Sequence, residues 1–474
     1  MRRSTKMRYL ISYLTDVEGD MSYFRRFVAQ SKVLGEADGK YIIPNGRDHF
    51  VFGGDSFDLG GEDLTFHDAL LQLKRDYPRQ VHLLLGNRDV NKMIFRTSVG
   101  EWLEGLPPAE AHRRIYPVES PIQRKGVTYE AYLSQHNLPP ITTLVTLVKW
   151  ILKHRMAAPN VLEDRRKELE KRGGGTLSDE EVVRHILSTA QSDDGAVTEY
   201  IRHGQLAALI GRALFVHGGV CEENVGYVPF PFNAIEAATS PTRLPGETYP
   251  SAADWVRELN LLKEKGFNEW LQSPRCAPCG TRTGGEFLHA YAFRYTPVRY
   301  SVMVNSFVDF STRQLREVDR ATEVYLKQNN IDVVCCGHQP SGDSPTVLQT
   351  EARQFIVMGD NSYCAADNSR GRAITEVLVE QDDDNPSTPA SVRLRGCRTD
   401  GTPFDFILSY RHAGATPLTP LLGKRWNKQW WAKIPSPDGG VICQCSKDAF
   451  YNVDYKTFFA GRIGSTMNEN EKRV

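Results

Sequence analysis

The segment VHLLLGNRDVNK (residues 81–92) joins a short apolar run directly to Gly86, Asn87, Arg88 and Asp89. An apolar run of this length, ended by a glycine, reads as a buried strand. Its carboxyl end would then present an amide, a cation and a carboxylate side by side. Alone, such a segment says little about fold. The chain repeats it five times.

The other runs are YLISYLTDVEGD (9–20), HFVFGGDSFDLGG (49–61), ALFVHGGV (213–220), DVVCCGHQPSGD (332–343) and QFIVMGDNSYC (354–364). Helical patterns such as FHDALLQLKRDYP (66–78) lie between them. Strands alternating with helices predict an α/β architecture with a largely buried sheet. Ligands of such folds gather beyond the carboxyl ends of the strands. There the sequence supplies Asp16, Glu18, Asp55, Asp58, Asn87, His217 and His338. Carboxylates, an amide oxygen and imidazoles at one sheet edge suit two divalent cations about 3.5–4 Å apart. Asp343 and Asp360 also fall at strand ends and read as loop-fixing residues that bond nearby backbone.

The order and spacing of these segments resemble the calcineurin-like metallophosphoesterases of the phosphoprotein-phosphatase (Ser/Thr phosphatase) type. That pattern runs D-x-H-G, G-D-x-x-D-R-G, G-N-H-E/D, H-G-G, a later histidine, then an N-Y-C…D-N-x-G loop. Here it reads DVEG (16–19), GDSFDLG (54–60), GNRD (86–89), HGG (217–219), GHQP (337–340) and NSYCAADNSRG (361–371). The resemblance implies a two-sheet β-sandwich flanked by helices and a metal-dependent phosphatase. It implies that Asp55 bridges two cations, that Asn87, His217 and His338 complete one site, and that Asp16 with Glu18 holds the other. It further implies an ionised water attacking phosphorus in line. Arg88, Asp58 and Asp89 are then the expected catalytic residues, with Asp58 orienting Arg88. Arg88, Tyr363, Arg370 and Arg372 are the expected substrate contacts. Pro340 stands where phosphodiesterase relatives carry a further histidine.

Three positions depart from the pattern: Glu18 and Arg88 replace histidines, and Leu59 replaces an arginine. Glu18 adds a negative charge to the first site, and Arg88 returns a positive one nearby. Arg88 is expected to take over phosphate binding from the arginine missing at Leu59, since a guanidinium fork fits phosphate oxygens. It cannot replace a histidine as proton donor near neutral pH. Substrates with good leaving groups, nucleotide-like or aryl phosphates, are therefore expected over phosphoserine. The oxygen-rich first site favours Mn²⁺, with Mg²⁺, iron or zinc as alternatives. The alternative function is a catalytically impaired relative, in which Glu18 and Arg88 pair with each other and the chain serves as a binding or scaffold protein.

The rest of the chain excludes several classes. Lys+Arg and Asp+Glu number 58 each, so bulk charge points to neither nucleic acid nor membrane. No apolar run is long enough to span a bilayer. The N-terminus is basic and briefly apolar but runs straight into acidic residues, which reads as a core strand, and a cytoplasmic chain is expected. Nine cysteines form no evident disulfide framework. Cys335 and Cys336 read as core, whereas Cys276/Cys279 and Cys443/Cys445 match no standard zinc-finger spacing. CAADNSR (364–370) has the C-x₅-R form of cysteine phosphatases but lacks the preceding histidine and internal glycine. Partners are expected to be a phosphorylated small molecule, nucleotide or phosphoprotein; oligomeric state leaves no trace.

The organisation expected is a catalytic domain over 7–375. It carries a helical insertion at about 100–205, in which Ser178 or Asp179 caps a helix, and a looser proline-rich insertion at about 222–300. A β-rich extension follows over 376–474 and ends in a disordered MNENEKRV (467–474).

Overall fold

The computed structural model describes residues 8–240, 243–272, 284–295, 299–309, 312, 314–362, 369–382, 387–408, 419–426, 430–446 and 453–459. Tyr363, Cys276, Cys279, Cys364 and the MNENEKRV tail lie outside the described residues.

Two sheets form the centre. The first has seven strands in the order Pro403–Ile407, Ser391–Cys397, Ile374–Asp382, Arg8–Leu14, His49–Phe52, Val81–Leu84 and Gly204–Gln205. The second has five, in the order Thr346–Gln349, Phe355–Met358, Val333–Cys336, Ala213–Val216 and Ala207–Ile210. The strands that carry the motifs pair in parallel. Arg8–Leu14 lies beside His49–Phe52 and that beside Val81–Leu84, while Val333–Cys336 lies between Ala213–Val216 and Phe355–Met358. Parallel neighbours bring their carboxyl ends to one edge, and the polar residues follow there.

Side-chain alternation divides the core in two. Ile11, Tyr13, Val51, Leu84, Phe215, Val333, Cys335 and Val357 fill the space between the sheets. Leu14, Phe50, Phe52, Leu83, Leu214, Val216, Val334, Cys336, Ile356 and Met358 face the surrounding helices. Adjacent Cys335 and Cys336 thus serve different layers, both fully buried and both free thiols. The two-sheet sandwich with flanking helices is the fold class expected.

Two features bear on the organisation expected. The stretch 222–300 contains the 21-residue helix Ala252–Gln272. Trp255, Leu259, Phe267 and Trp270 follow at helical spacing and are buried; the prolines ahead of it dominate the sequence reading. The boundary at 375/376 falls inside the strand Ile374–Asp382, which pairs with Arg8–Leu14 on one side and Ser391–Cys397 on the other. Its Val377 and Val379 fill the inter-sheet core. Among the described residues of the extension, Trp431–Pro435, Val441–Ser446 and Val453–Phe458 form a separate three-stranded sheet.

Between residues 94 and 203 the chain is helical, including Leu144–His154, Val161–Leu169 and Asp179–Gln191. Ser178 caps the last of these by accepting from the Glu181 N–H, while the Glu181 carboxylate accepts from Ser178 in return. Among the described residues no helix is long and apolar enough to cross a membrane.

Candidate metal centre

The ends of the strands Arg8–Leu14, His49–Phe52, Ala213–Val216 and Val333–Cys336 bring Asp16, Glu18, Asp55, His217 and His338 together. Asp16 (φ 52°), Glu18 (φ 54°), Asp55 (φ 53°), Asp58 (φ 109°) and His338 (φ 70°) all adopt the left-handed region. Non-glycine residues go there rarely, and such strain concentrates at functional sites. Close backbone approach demands glycine beside them. A Cβ on Gly86 would overlap the Asp55 carboxylate, and one on Gly337 would overlap that of Asp16.

Two groups of ligand atoms result. Asp16, Glu18 and Asp55 offer oxygens lying within 4.8 Å of one another, and the Asp55 oxygen and the His217 and His338 ring nitrogens lie within the same distance of one another. Asp55 belongs to both. His217 Nδ1 bonds the Gly53 carbonyl at 2.8 Å, which turns Nε2 toward Asp55 Oδ1 at 3.3 Å. Fixing one imidazole nitrogen on a backbone carbonyl is the usual way to orient a ligating histidine. The His338 N–H donates to both Asp16 oxygens, at 3.2 and 3.1 Å, joining the two groups.

Three further atoms are buried without a hydrogen-bond partner: Glu18 Oε2, Asn87 Oδ1 and His338 Nδ1. Unpaired buried acceptors are costly, so a convergent set of them fits a cation. The charge environment agrees. Burial pushes Glu18 up to about 8, against the pull of Arg88 and Arg370. Burial and the charge of Asp360 push Asp16 up as well. His217, despite burial, is held up at about 10 by Asp55.

Arg88 lies at the rim. Its Nε meets Glu18 Oε1 at 3.1 Å, and its Nη1 meets Asp58 Oδ2 at 3.3 Å and the Met156 carbonyl at 3.1 Å. Asp55 Oδ2 is 3.9 Å away. Although burial opposes its charge, Glu18, Asp58 and Asp55 hold the guanidinium even more firmly protonated than usual.

Asp89 takes a different place from the catalytic one expected. Its carboxylate accepts from the N–H groups of Gly86 (2.7 Å), Asp55 (3.0 Å) and Ser56 (2.8 Å) and from Ser56 Oγ (2.6 Å). Burial and the Asp55 charge push it up to about 6 despite these donors. It is a positioning residue that ties the Asp55 turn to the Asn87 turn. Asp89→Ala should strand three buried N–H groups at about 1–3 kcal/mol each. We expect a loss of about 3 kcal/mol or more in urea unfolding, and a smaller loss for Asp89→Asn.

Two expected phosphate contacts also move. Arg370 is buried, stacks 4.5 Å from the Tyr23 ring centroid and donates to the carbonyls of Asp16 and Val17. It braces the back of the Asp16 turn. Arg372 is exposed on the turn opposite, where its N–H donates to the Thr399 carbonyl at 3.1 Å. Asp360 accepts from Ser362 N (2.9 Å) and Oγ (2.6 Å), and Asp343 from Arg398 Nε (3.1 Å) and Thr399 Oγ1 (3.0 Å). Both are loop-fixing residues.

Sequence reasoning passes over Lys92. Buried one helical turn beyond Arg88, it forms an ion pair with Asp58 Oδ1 (2.7 Å) and donates to the Arg88 carbonyl (2.7 Å). The i, i+4 spacing of Arg88 and Lys92 is the signal that could have found it. Arg294, whose charge helps depress His338, also goes unread.

The two-sheet sandwich thus carries at its strand ends two candidate ligand groups that share one carboxylate. The sequence profile described as calcineurin-like phosphoesterase matches residues 13–342, and the chain belongs to that family. The family hydrolyses phosphoesters with divalent metals. No curated protein matches the chain. Among solved structures it is similar to the cold-active protein-tyrosine phosphatase of the psychrophile Shewanella sp., at 14% identity over 84% of this chain and 80% of that one, TM-score 0.38. It is also similar to a Saccharomyces cerevisiae serine/threonine phosphatase with similarity to human phosphatase PP5, at 13% identity over 82% and 81%, TM-score 0.35. A metallophosphoesterase from Sphaerobacter thermophilus aligns at 11% identity over 83% and 88%, TM-score 0.26.

Proposed function

We propose that the chain is a phosphatase working with two divalent cations, Mn²⁺ by preference, on phosphate esters whose leaving groups need no proton. The observation that carries this reading is the Asp55 carboxylate, shared by two ligand groups and surrounded by buried acceptors. Asp55 would be the ligand common to both cations, Asn87, His217 and His338 would complete one site, and Asp16 with Glu18 would complete the other. The cations, when bound, supply Lewis acidity and lower the pKa of water. The chain's own residues align the ester and hold its charge.

Arg88 is the phosphate contact within reach of the centre. Because Nε and Nη1 are engaged by Glu18, Asp58 and Met156, it offers a phosphate oxygen Nη2 alone, not the two-armed fork expected. Asp58 and Lys92 fix its angle. Arg88 keeps its proton near neutral pH, which sets the leaving-group preference.

One contact favours the alternative of a non-catalytic relative: the Glu18–Arg88 ion pair itself. It occupies Oε1, however, and leaves Oε2 without a partner, so pairing and ligation are compatible. Metal counting on chain purified with Mn²⁺ decides between them. Two ions per chain with phosphate release supports the phosphatase, and none supports a scaffold.

A further inference from the structure

The loop after His338 is held from an unexpected side. Towards the strands, the Gly337 N–H donates to the His217 carbonyl at 2.7 Å. From Ser341 to Asp343, besides Thr346, Arg398 and Thr399, partners come from the three-stranded sheet of Trp431–Pro435, Val441–Ser446 and Val453–Phe458. Lys433 Nζ donates to the Ser341 carbonyl, to Thr346 Oγ1 at 2.8 Å and to Gln444 Oε1 at 2.5 Å. Gln444 Nε2 bonds Ser341 Oγ at 2.8 Å. Tyr455 Oη donates to Asp343 Oδ1 at 2.8 Å and accepts from the Asp343 N–H at 2.9 Å. Gly342 (φ +80°) is where this sheet comes closest, since a Cβ there would overlap Tyr455 Oη.

Lys433 is 1% exposed and Gln444 fully buried. A buried ammonium is tolerated only when its donors are used, and here Lys433 makes three hydrogen bonds. One of them ends on the carbonyl three residues after His338, a residue itself strained at φ 70°. Something must hold a strained ligand in place against relaxation. The family profile stops at residue 342, so Lys433, Gln444 and Tyr455 lie beyond the matched region.

We infer that the sheet 431–458 is a clamp that sets the position of His338 at the metal centre, with Lys433 as its principal positioning residue. The inference rests on the two-cation reading above. The His338 site should depend most on the C-terminal strands, while the Asp16–Glu18 site, which they reach through the His338 N–H bonds to Asp16, should depend on them less.

The test is Mn²⁺ titration calorimetry on the full chain. Lys433→Met keeps the side-chain volume and removes the three donors. Partners that orient metal ligands typically change affinity 10–100-fold, and that loss is expected at one of the two sites, with the other within about twofold of wild type. In a His338→Ala background, adding Lys433→Met should leave the remaining site within about twofold, because the imidazole that the clamp positions is then gone. Unchanged affinity at both sites, equal losses at both, or a further loss in the His338→Ala background would overturn the clamp. Should Lys433→Met fail to fold, Tyr455→Phe removes one hydroxyl and is expected to weaken the same site by a few-fold; an unchanged site would again count against it. Wild type binding no Mn²⁺ would instead remove the two-cation reading, and the clamp with it.

Discussion

Asp55→Asn is expected to abolish phosphate release and to strip both cations together. No other described side chain belongs to both ligand groups. The carboxylate also accepts the Arg88 N–H at 2.8 Å and faces His217 Nε2 at 3.3 Å, so it orders the motif turns as well as their charge. Burial would favour its neutral form, yet His217 and Arg88 hold it well below the usual carboxylate range. Asparagine keeps the shape and one acceptor but removes that charge. Metal-ion catalysis supplies several kcal/mol of transition-state stabilisation, and each 1.36 kcal/mol is tenfold in rate. A fall on the order of 10³-fold or more in kcat/KM should accompany loss of both ions by elemental analysis. Wild-type turnover in Asp55→Asn, or two ions retained, would refute the bridging role.

The second large effect concerns the leaving group. An aryl phosphate should be hydrolysed far faster than a phosphoserine peptide. General acid catalysis contributes about 10²–10⁴-fold where a basic alkoxide departs, and Arg88, enclosed by Glu18, Asp58 and Asp55, keeps its proton. A phenolate or phosphoanhydride leaves without that help. The ratio of the two kcat/KM values measures it directly, and Arg88→His should narrow the ratio by restoring a titratable donor beside Asp58. Equal rates on both substrates for the wild-type chain would defeat the argument.

Much of this centre is legible in the sequence because the fold writes it in a simple code. Asp16, Asp55, Asn87, His217 and His338 each follow a strand within a few residues, and parallel pairing brings those ends together. The direction in which a long side chain turns is not written that way. Arg370 stands in the motif loop yet folds back onto the Asp16 and Val17 carbonyls, and the motif does not encode that turn. Backbone groups leave no mark either, so the Met156 carbonyl that anchors Arg88 is invisible before the helices 144–169 are placed. Lys433 and Tyr455 escape notice for a third reason. They are separated from His338 by about a hundred residues and belong to no catalytic motif.

The central position of the strand Ile374–Asp382 has a consequence for where this protein can be divided. It supplies six register pairs to Arg8–Leu14, the strand that delivers Asp16 and Glu18. A polypeptide ended at residue 342, where the family profile stops, would contain every proposed ligand and still lack that neighbour. Arg8–Leu14 would become an open edge, with unpaired N–H and C=O groups ready to recruit another chain. The unit that folds is therefore longer than the unit that inheritance marks.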